Sequence, residues 1–346
     1  MAVSEPAVAP AADATPRQHA RGLRSWHRTA EGVLATDLSP RELVAARDSG
    51  TGQLWVDLDV TDLHQVACLE NVFGFHPLAV EDTLSPNSRV KIEDYNNVVF
   101  LIVRAVLYRH DTDDPYDIET FNICFFLGKN FLVTTHAGRV QLIEEQVGRV
   151  QRSPDLLARG TDRLLHAIVD AAVDAYFPVM DKVDELLDEL EVRVIEKFDE
   201  RAMSDIFALK RLILSLRRHL GPQREVLNIM TNRPNSLLTP DVQVYFRDIY
   251  DHLLRINDAI DTYRDLLSST LDSYLSQVSI RLGRITTGLS VVATLSVPFV
   301  VISGMWGMNF TQIPLANEPH GFWWMLAIQL GLGGLGVFLL RVRKWV

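Results

Sequence analysis

Small and hydroxyl-bearing residues interrupt the most apolar stretch of this 346-residue chain at helical spacing. They are Gly283, Thr286, Ser290, Ala293, Thr294 and Gly304, and Val297 lies on the same side of the predicted helix. Small residues let helix backbones approach closely, so the pattern is typical of packing between membrane helices. It equally suits a narrow pore lined by hydroxyls and backbone, and Pro298 adds a kink that frees a carbonyl. The spacing alone does not separate these two interpretations.

Other side chains offer ligand atoms for a metal. Asp248 and His252 lie one turn apart, so they share one face of a predicted helix. His76, Glu81 and Asp82 also carry ligand atoms, but spacings of five and six residues do not share a helical face. We therefore predict no metal site from these three residues alone.

Two apolar segments near the C-terminus must position the polar stripe. No charged side chain occurs from Ile285 to Asn317 or from Gly321 to Leu340. Each segment reaches the roughly 20 residues that a helix needs to cross a bilayer. Their position excludes a cleaved signal peptide. We predict two transmembrane helices, within 241–310 and 321–346, joined by an external loop at 311–320.

Basic residues flank these two helices on one side only. The loop between them carries Glu318 and no Lys or Arg. Because cytoplasmic flanks are enriched in Lys and Arg, we expect both termini to be cytoplasmic and the protein to be a multi-pass protein of the inner (plasma) membrane, in contact with its lipid. The flanking residues are Arg281, Arg284, Arg341, Arg343 and Lys344.

A long helix is expected to lead into the first span. Residues 241–297 contain no proline, and apolar residues recur at steps of four or three from Ile249 to Val278. This periodicity predicts one helix of roughly 60 residues, about 90 Å long, which is part cytoplasmic stalk and part transmembrane. An apolar stripe of that length needs partner helices, so we expect a homo-oligomer.

The remaining residues have the character of a soluble protein. Residues 1–20 are rich in Ala and Pro and predict a disordered tail. Residues 21–160 predict an α/β cytoplasmic domain, with a Thr-capped helix in TDLHQVACLENVFG, closed by Gly74, and two strands joined at Gly128–Asn130. Residues 161–240 predict cytoplasmic helices, with a kink or joint at Pro178 and a stop at Gly221–Pro222.

The fold class is thus an α/β cytoplasmic domain plus a long helical stalk and two C-terminal transmembrane helices. We find neither a glycine-rich phosphate loop nor a nucleophile elbow, and we expect no enzymatic activity and no nucleic-acid partner. Cys68 and Cys124 fit no metal-ligand spacing and are interpreted as small core residues.

Gly307-Met308-Asn309 directly follows the proline-containing first span, and a second span begins about a dozen residues later. At this position the motif resembles the CorA family of magnesium and cobalt channels. The similarity covers about residues 50 to 346. It includes the segments HPLAVEDTL, RVKIEDYNNVVFLIVRA, YFRDIYDH and LDSYLSQVS, in family order.

The resemblance implies a funnel-like homopentamer with a pore lined by the first span. Gly307, Met308 and Asn309 would form the selectivity filter. Magnesium gives up its water reluctantly, so a ring of neutral Asn309 oxygens would accept hydrogen bonds from the waters of the hydrated ion without stripping them. In this interpretation Gly307 lets the backbone turn and Met308 supports the ring by packing.

The resemblance also implies regulation by cytoplasmic magnesium. The family segment places an Asp like Asp248, next to His252, against a Glu-Asp pair of a neighbouring protomer, here Glu81 and Asp82. A regulatory magnesium ion between them would hold the protomers in a closed ring, and its loss would open the pore.

The sequence departs from the family pattern at the inner pore. Gly283 stands where the family commonly has Asn, and Thr286 and Thr287 stand where a bulky Met and a Lys usually follow. Trp306 replaces the Tyr before the motif, and the connecting loop has a single carboxylate. These changes leave the position of the gate and the preferred metal open.

The hypothesis from the sequence is a divalent metal cation channel for magnesium uptake, with cobalt and nickel as possible further cargo. Two alternatives stay open. One is a transporter of zinc or another transition metal in the same superfamily. The other is a membrane-anchored metal sensor that does not conduct, which the altered inner-pore residues favour.

Overall fold

The computed structural model describes residues 23–95, 97–109, 112, 114–196, 199, 201–233, 236–308, 313–315 and 318–343. The expected tail at 1–20, part of the expected loop at 311–320 and Asn309 lie outside the described residues. The described elements in chain order are β1 (Arg24–Arg28), β2 (Leu34–Thr36), α1 (Pro40–Ser49), β3 (Gln53–Asp59), α2 (Leu63–Asn71), α3 (Pro77–Leu84), β4 (Lys91–Tyr95), β5 (Val98–Tyr108), β6 (Ile118–Leu127), β7 (Phe131–His136), α4 (Gln141–Arg152), α5 (Asp155–Ala158), α6 (Thr161–Asp174), α7 (Tyr176–Glu196), α8 (Ala202–Asn232), α9 (Pro240–Trp306) and α10 (Gly321–Val342).

The chain divides into two units. One comprises residues up to 186 together with 208–265, and it contains the whole sheet. The other comprises 187–207 and the residues from 266 onward, and it contains α10. Helices α7, α8 and α9 each contribute residues to both units.

A seven-stranded sheet forms the centre of the first unit. Its strand order is β2-β1-β3-β7-β6-β5-β4, and every pair is antiparallel except β3 with β7. The hairpin of β6 and β7 turns at 128–130, which confirms the predicted turn. The parallel β3–β7 pair places the ends of two buried strands side by side, since Asp57 lies opposite Thr134 and Asp59 opposite His136.

Helices cover the sheet. Successive residues of a strand point to opposite faces, so the central strands bury both sets of side chains. One face packs under α1, α2 and α3 through Leu54, Val56, Phe100 and Phe126. Helix α6 lies against β3, β5, β6 and β7. This two-sided burial explains the nearly continuous apolar run of β5.

Of the two cysteines, Cys124 is buried, and burial raises its pKa to about 12, whereas Cys68 is half-buried.

The start of α2 differs from the sequence expectation. Its N-cap is Asp62, whose carboxylate accepts the backbone N–H of His64 at 2.9 Å. The hydroxyl of Thr61 instead donates to Asp59 at 2.7 Å. The predicted Thr cap is therefore wrong, because a carboxylate one residue later takes the cap. Gly74 closes the end of the helix, as predicted: its φ of 64° is left-handed, and its N–H donates to the Glu70 carbonyl at 3.0 Å.

The helices between 161 and 233 correct a second expectation. Pro178 lies in the first turn of α7, where its missing N–H breaks no bond, and the joint falls at Ala175. The predicted stop at Gly221–Pro222 is wrong, since α8 continues to Asn232. Gly221 lacks the Cβ that would clash with the proline ring, and the buried face continues through Leu220, Gln223 and Leu227. Tertiary packing thus outweighs the local stop signal.

Helix α9 is continuous over 67 residues from Pro240 to Trp306 and includes Pro298. Helix α10 has 22 residues. Each contains an 18-residue window that is long and apolar enough for a membrane span, with mean hydropathy of 2.0 and 1.8. Among the described residues, these two helices alone meet that criterion of length and composition.

A buried network of four charges ties β1, β3 and β7 to α4. Arg24 pairs with Asp57 and, at 2.9 Å, with Glu144. His136 lies with Nε2 3.1 Å from an Asp57 oxygen and Nδ1 2.7 Å from the Gly138 carbonyl. Because both ring nitrogens face acceptors, the ring is an imidazolium that donates twice. Arg139, which is largely exposed, also lies 3.9 Å from Glu144, so both carboxylates of the network are fully compensated.

The pKa of His136 follows from these contacts. Burial lowers it, but the hydrogen bond and charge of Asp57 outweigh burial and leave the pKa above its ordinary value. For Asp57, burial raises the pKa, and the contacts with His136, Arg24 and Thr134 bring it below the ordinary value. The His136 contribution to stability is therefore fully present below the unfolded pKa of about 6.5 and is lost as pH rises through the folded pKa.

We predict that His136→Asn lowers the free energy of unfolding by about 3 kcal/mol at pH 6, since it leaves a buried carboxylate without one cation. The loss should shrink between pH 6 and pH 9 as the wild-type ring loses its proton. Thermal unfolding of the purified full chain in detergent measures both. Replacement of the exposed His64 by Asn is the matched control. A loss that does not vary with pH would contradict the imidazolium assignment.

Candidate functional site

The Gly-Met-Asn motif begins where α9 ends. The N–H of Gly307 donates to the carbonyls of Ser303, at 3.0 Å, and Gly304, at 3.2 Å, and the N–H of Met308 donates to Met305 at 3.3 Å. These bonds close the helix in a turn. Gly307 and Met308 are exposed in the single chain, and Met308 is 50% exposed. The side chain of Met308 is thus available to a neighbouring molecule.

Helix α10 covers one face of α9. A Cβ added to Gly333 would lie 2.7 Å from the Phe299 ring, and one added to Gly336 would lie 3.1 Å from Leu295. The amide of Gln329 donates to the hydroxyl of Ser303 at 2.7 Å. Positions 295, 299 and 303 are spaced by one turn each, so they define the face that α10 occupies.

The polar stripe lies on the opposite face of α9. At about 100° per residue, its members stand roughly 120–180° around the helix axis from Phe299. All seven are exposed in the single chain: Gly283, Thr286, Ser290, Ala293, Thr294, Val297 and Gly304. Thr286 donates its hydroxyl to the Leu282 carbonyl at 2.9 Å, which leaves the oxygen lone pairs free to accept. The structure therefore brings the predicted pore residues to one face that α10 leaves uncovered.

The Glu81–Asp82 pair lies at the end of α3. Asp82 forms an ion pair with Lys91 at 2.6 Å and accepts the Ser88 hydroxyl at 3.3 Å. Glu81 is exposed. His76 caps the same helix, with Nδ1 accepting the Leu78 N–H at 3.3 Å. Asp82 thus already has a cation partner within the chain.

His252 lies near Asp248, and also near Asp170 and Asp174, two carboxylates that the sequence did not indicate. Its Nδ1 lies 3.4 Å from an oxygen of Asp174, and its Nε2 lies 3.8 Å from Asp248. One ligand atom from each of Asp170, Asp174 and His252 can be chosen so that all lie within 4.8 Å of one another. Among the described residues this is the one group of three metal-capable side chains with that geometry. We call Asp170, Asp174, Asp248 and His252 the acidic cluster.

The only available signal for the missed residues was spacing. Asp170 and Asp174 lie four apart on α6, as Asp248 and His252 do on α9, so each pair shares a helical face. The sequence does not reveal that these two faces meet. Glu81 and Asp82 are not part of the group within one chain.

Charge repulsion is built into the acidic cluster. Burial, and after it the charge of Asp174, raises the pKa of Asp170. The Nδ1 atom of His252 is buried without a hydrogen-bond partner among the described residues, since its contact with Asp174 lacks hydrogen-bond geometry. Burial also lowers the pKa of the neighbouring His166. A bound cation would relieve this excess of negative charge.

Comparisons with known proteins show which family the whole chain resembles. The profile of the family described as "CorA-like Mg2+ transporter protein" matches residues 51–343. The "Cobalt/magnesium transport protein CorA" of Thermotoga maritima is 30% identical over 304 residues, which cover 87% of this chain and 85% of that protein. The "Putative metal ion transporter YfjQ" of Bacillus subtilis is 31% identical over 290 residues, 84% of this chain and 88% of that protein.

A solved structure has the same fold. The complete structure of the CorA magnesium transporter from Methanocaldococcus jannaschii superposes with a TM-score of 0.81 at 22% sequence identity, covering 94% of this chain and 98% of that one. The α/β unit, the long helix and the two apolar C-terminal helices are common to both. With the family profile spanning most of its length, the chain belongs to the family of CorA-like Mg²⁺ transporter proteins.

Proposed function

We propose that this protein is a divalent-cation channel that moves magnesium into the cell down its electrochemical gradient, with cobalt and nickel as further cargo. The observation that carries the proposal is the uncovered polar face of α9. Two further observations support it. The chain belongs to the CorA-like family, and α9 is apolar enough to span a membrane and is directly followed by the sequence Gly307-Met308-Asn309. The proposal involves no enzymatic chemistry.

The proposed channel is a homopentamer in the inner membrane. Leu295, Phe299 and Ser303 are occupied by α10, so the opposite face of α9 is left for other copies of the chain and for the pore. The apolar residues that remain exposed on α9 and α10 would contact lipid. Copies of the stripe would then line a path of hydroxyls and small side chains.

Selectivity is assigned to the ring of Asn309 carboxamides at the outer mouth. Magnesium holds its waters tightly and prefers octahedral oxygen coordination. Neutral amide oxygens accept hydrogen bonds from these waters, and they release the ion more readily than a ring of carboxylates would. Gly307 ends the helix with the hydrogen bonds described above, and the exposed side chain of Met308 is free to pack against a neighbouring copy.

Regulation is assigned to the acidic cluster together with Glu81 and Asp82 of a neighbouring protomer. Lys91 compensates Asp82, so most of the unbalanced negative charge lies at Asp170, Asp174 and Asp248. Coulomb repulsion is about 1 kcal/mol per pair in water and several in a partly buried interface. Repulsion between the acidic cluster and Glu81 of the neighbouring protomer, repeated around a ring, would separate the protomers when cytoplasmic magnesium is low and so open the pore.

The transported metal decides between this proposal and its alternatives. Flux of magnesium, cobalt, nickel and zinc into liposomes containing the purified protein is measured side by side. Preferred zinc flux would support a transition-metal transporter. Absence of flux for every metal, in a protein that still binds magnesium, would support a non-conducting sensor, as the departures at Gly283, Thr286 and Thr287 would allow.

For topology, we predict that tags at residue 1 and residue 346 resist external protease in intact cells, while a tag beside Glu318 is cut. The reason is that Lys and Arg are concentrated before the first span and after the second span and are absent from the loop between them. Permeabilised cells, in which all three tags are cut, are the control. External cleavage of either terminal tag would contradict cytoplasmic termini.

For the filter, we predict that Asn309→Ala reduces magnesium flux to background while the oligomer elutes unchanged from a sizing column. Asn309→Asp should bind ions more tightly and conduct less, since a carboxylate ring holds the ion. Gln312→Ala, which removes an amide three residues later, is the matched control and should conduct normally. Wild-type flux in Asn309→Ala would remove the motif from the mechanism.

For regulation, we predict that magnesium protects the full-length protein from proteolysis in detergent. Asp82→Asn combined with Asp248→Asn should raise the magnesium needed for half-protection roughly tenfold, because two ligand charges are lost. Asp251→Asn with Asp258→Asn removes the same charge from exposed positions of α9 and is the control. If the Asp82/Asp248 variant keeps wild-type inhibition by cytoplasmic magnesium, these residues are not the sensor.

A further inference from the structure

Gln329 is a buried amide inside the second apolar helix. It is 6% exposed, and between Gly321 and Leu340 only Gln329 and the two tryptophans have a side chain with an N–H or O–H group. Its Nε2 donates to the hydroxyl of Ser303 at 2.7 Å and lies 3.4 Å from the carbonyl of Phe299. An amide without partners is costly in the hydrocarbon of a membrane, so this contact has few substitutes.

Glycines bring the two helices close enough for this contact. Gly333 and Gly336 follow Gln329 by one and two turns, and they lie against Phe299 and Leu295. A side chain at Gly333 would collide with the Phe299 ring. The three residues of α10 therefore form one seam against α9, with Gln329 at the end nearest Ser303.

The contact between Gln329 and Ser303 lies on the C-terminal side of Pro298, a residue that weakens α9. Pro298 has no N–H, so the segment from Phe299 to Trp306 is joined to the preceding turn by one hydrogen bond fewer. The same Ser303 that accepts from Gln329 offers its carbonyl to the N–H of Gly307 at 3.0 Å. Gln329 thus holds the residue on which the turn of the motif is built.

We propose that Gln329 is a positioning residue that fixes the outer segment of α9, beyond Pro298, against α10 and so sets the position of Gly307 and Met308, where the Gly-Met-Asn motif begins. Without its hydrogen bond, the segment pivots at Pro298 and the start of the motif loses its fixed position. The consequence for transport is weaker discrimination between magnesium and cobalt. That consequence rests on the proposed function, whereas the mechanical role does not.

The first test measures the mechanical role without transport. Amide hydrogen exchange over residues 303–308 is followed in the full-length protein in detergent, for Gln329→Leu, Ser303→Ala and the double variant. Each single variant should exchange about threefold faster or more, the size of an average interhelical hydrogen bond in a membrane. Gln329→Leu also removes the contact with the Phe299 carbonyl, which Ser303→Ala keeps, so the double variant should match Gln329→Leu and Ser303→Ala should exchange no faster than either.

Two further variants separate this role from general loosening. Ser296→Ala removes a hydroxyl that donates within α9, to the Val292 carbonyl at 2.7 Å, and should leave the exchange unchanged. Ser303→Thr keeps the acceptor and should stay near wild type. Additive effects in the double variant, or unchanged exchange in Gln329→Leu, would overturn the proposal.

The second test measures the ratio of magnesium to cobalt flux in liposomes. Gln329→Leu and Ser303→Ala should shift this ratio about threefold toward cobalt, with the pentamer intact on a sizing column. Faster exchange with an unchanged ratio would overturn the consequence for selectivity and retain the mechanical role. If Asn309→Ala conducts normally, the proposed filter fails independently of the exchange result.

Discussion

The hydrocarbon core of a membrane offers no hydrogen-bond partner, so each polar group of α9 and α10 must find one inside the protein. Thr286 and Ser296 donate their hydroxyls to carbonyls of their own helix. Gln329 donates across to Ser303 instead, and glycines bring the helices close enough for that bond. Helix α10 thus takes one face of α9 and leaves the polar face exposed in the single chain.

The first unit contains two charge clusters with opposite balances. Around Asp57, two cations and two carboxylates close a buried network that ties three strands to a helix. At the acidic cluster, three carboxylates face one histidine, and burial together with Asp174 raises the pKa of Asp170. A balanced network stabilises the fold, whereas an unbalanced one leaves a place for a cation from outside. This difference is why regulation is assigned to the second cluster.

The inner part of α9, which lines the pore in the proposed channel, is where the sequence departs from the family pattern. Gly283, Thr286 and Thr287 are all exposed on α9, and none carries the bulk expected of a hydrophobic plug. In the proposed channel, closure would depend more on magnesium bound at the acidic cluster, which holds the protomers together, than on side chains blocking the path. The Pro298 hinge and its support by Gln329 would then allow the inner and outer segments of α9 to move separately.

Periodicity and composition determined the parts of this protein that depend on neighbours in sequence. The two spans, the long helix and the hairpin of β6 and β7 were predicted because hydrophobic period, turn residues and charge gaps are local signals. The role of the Gly-Met-Asn motif came from the resemblance to the family. Asn309 itself stays a prediction. Only tertiary structure decided that α8 passes Pro222, that Asp170 meets His252, and that Gln329 reaches Ser303. Those outcomes depend on which faces of distant helices meet, and packing free energy between such faces leaves no periodic trace in either sequence segment.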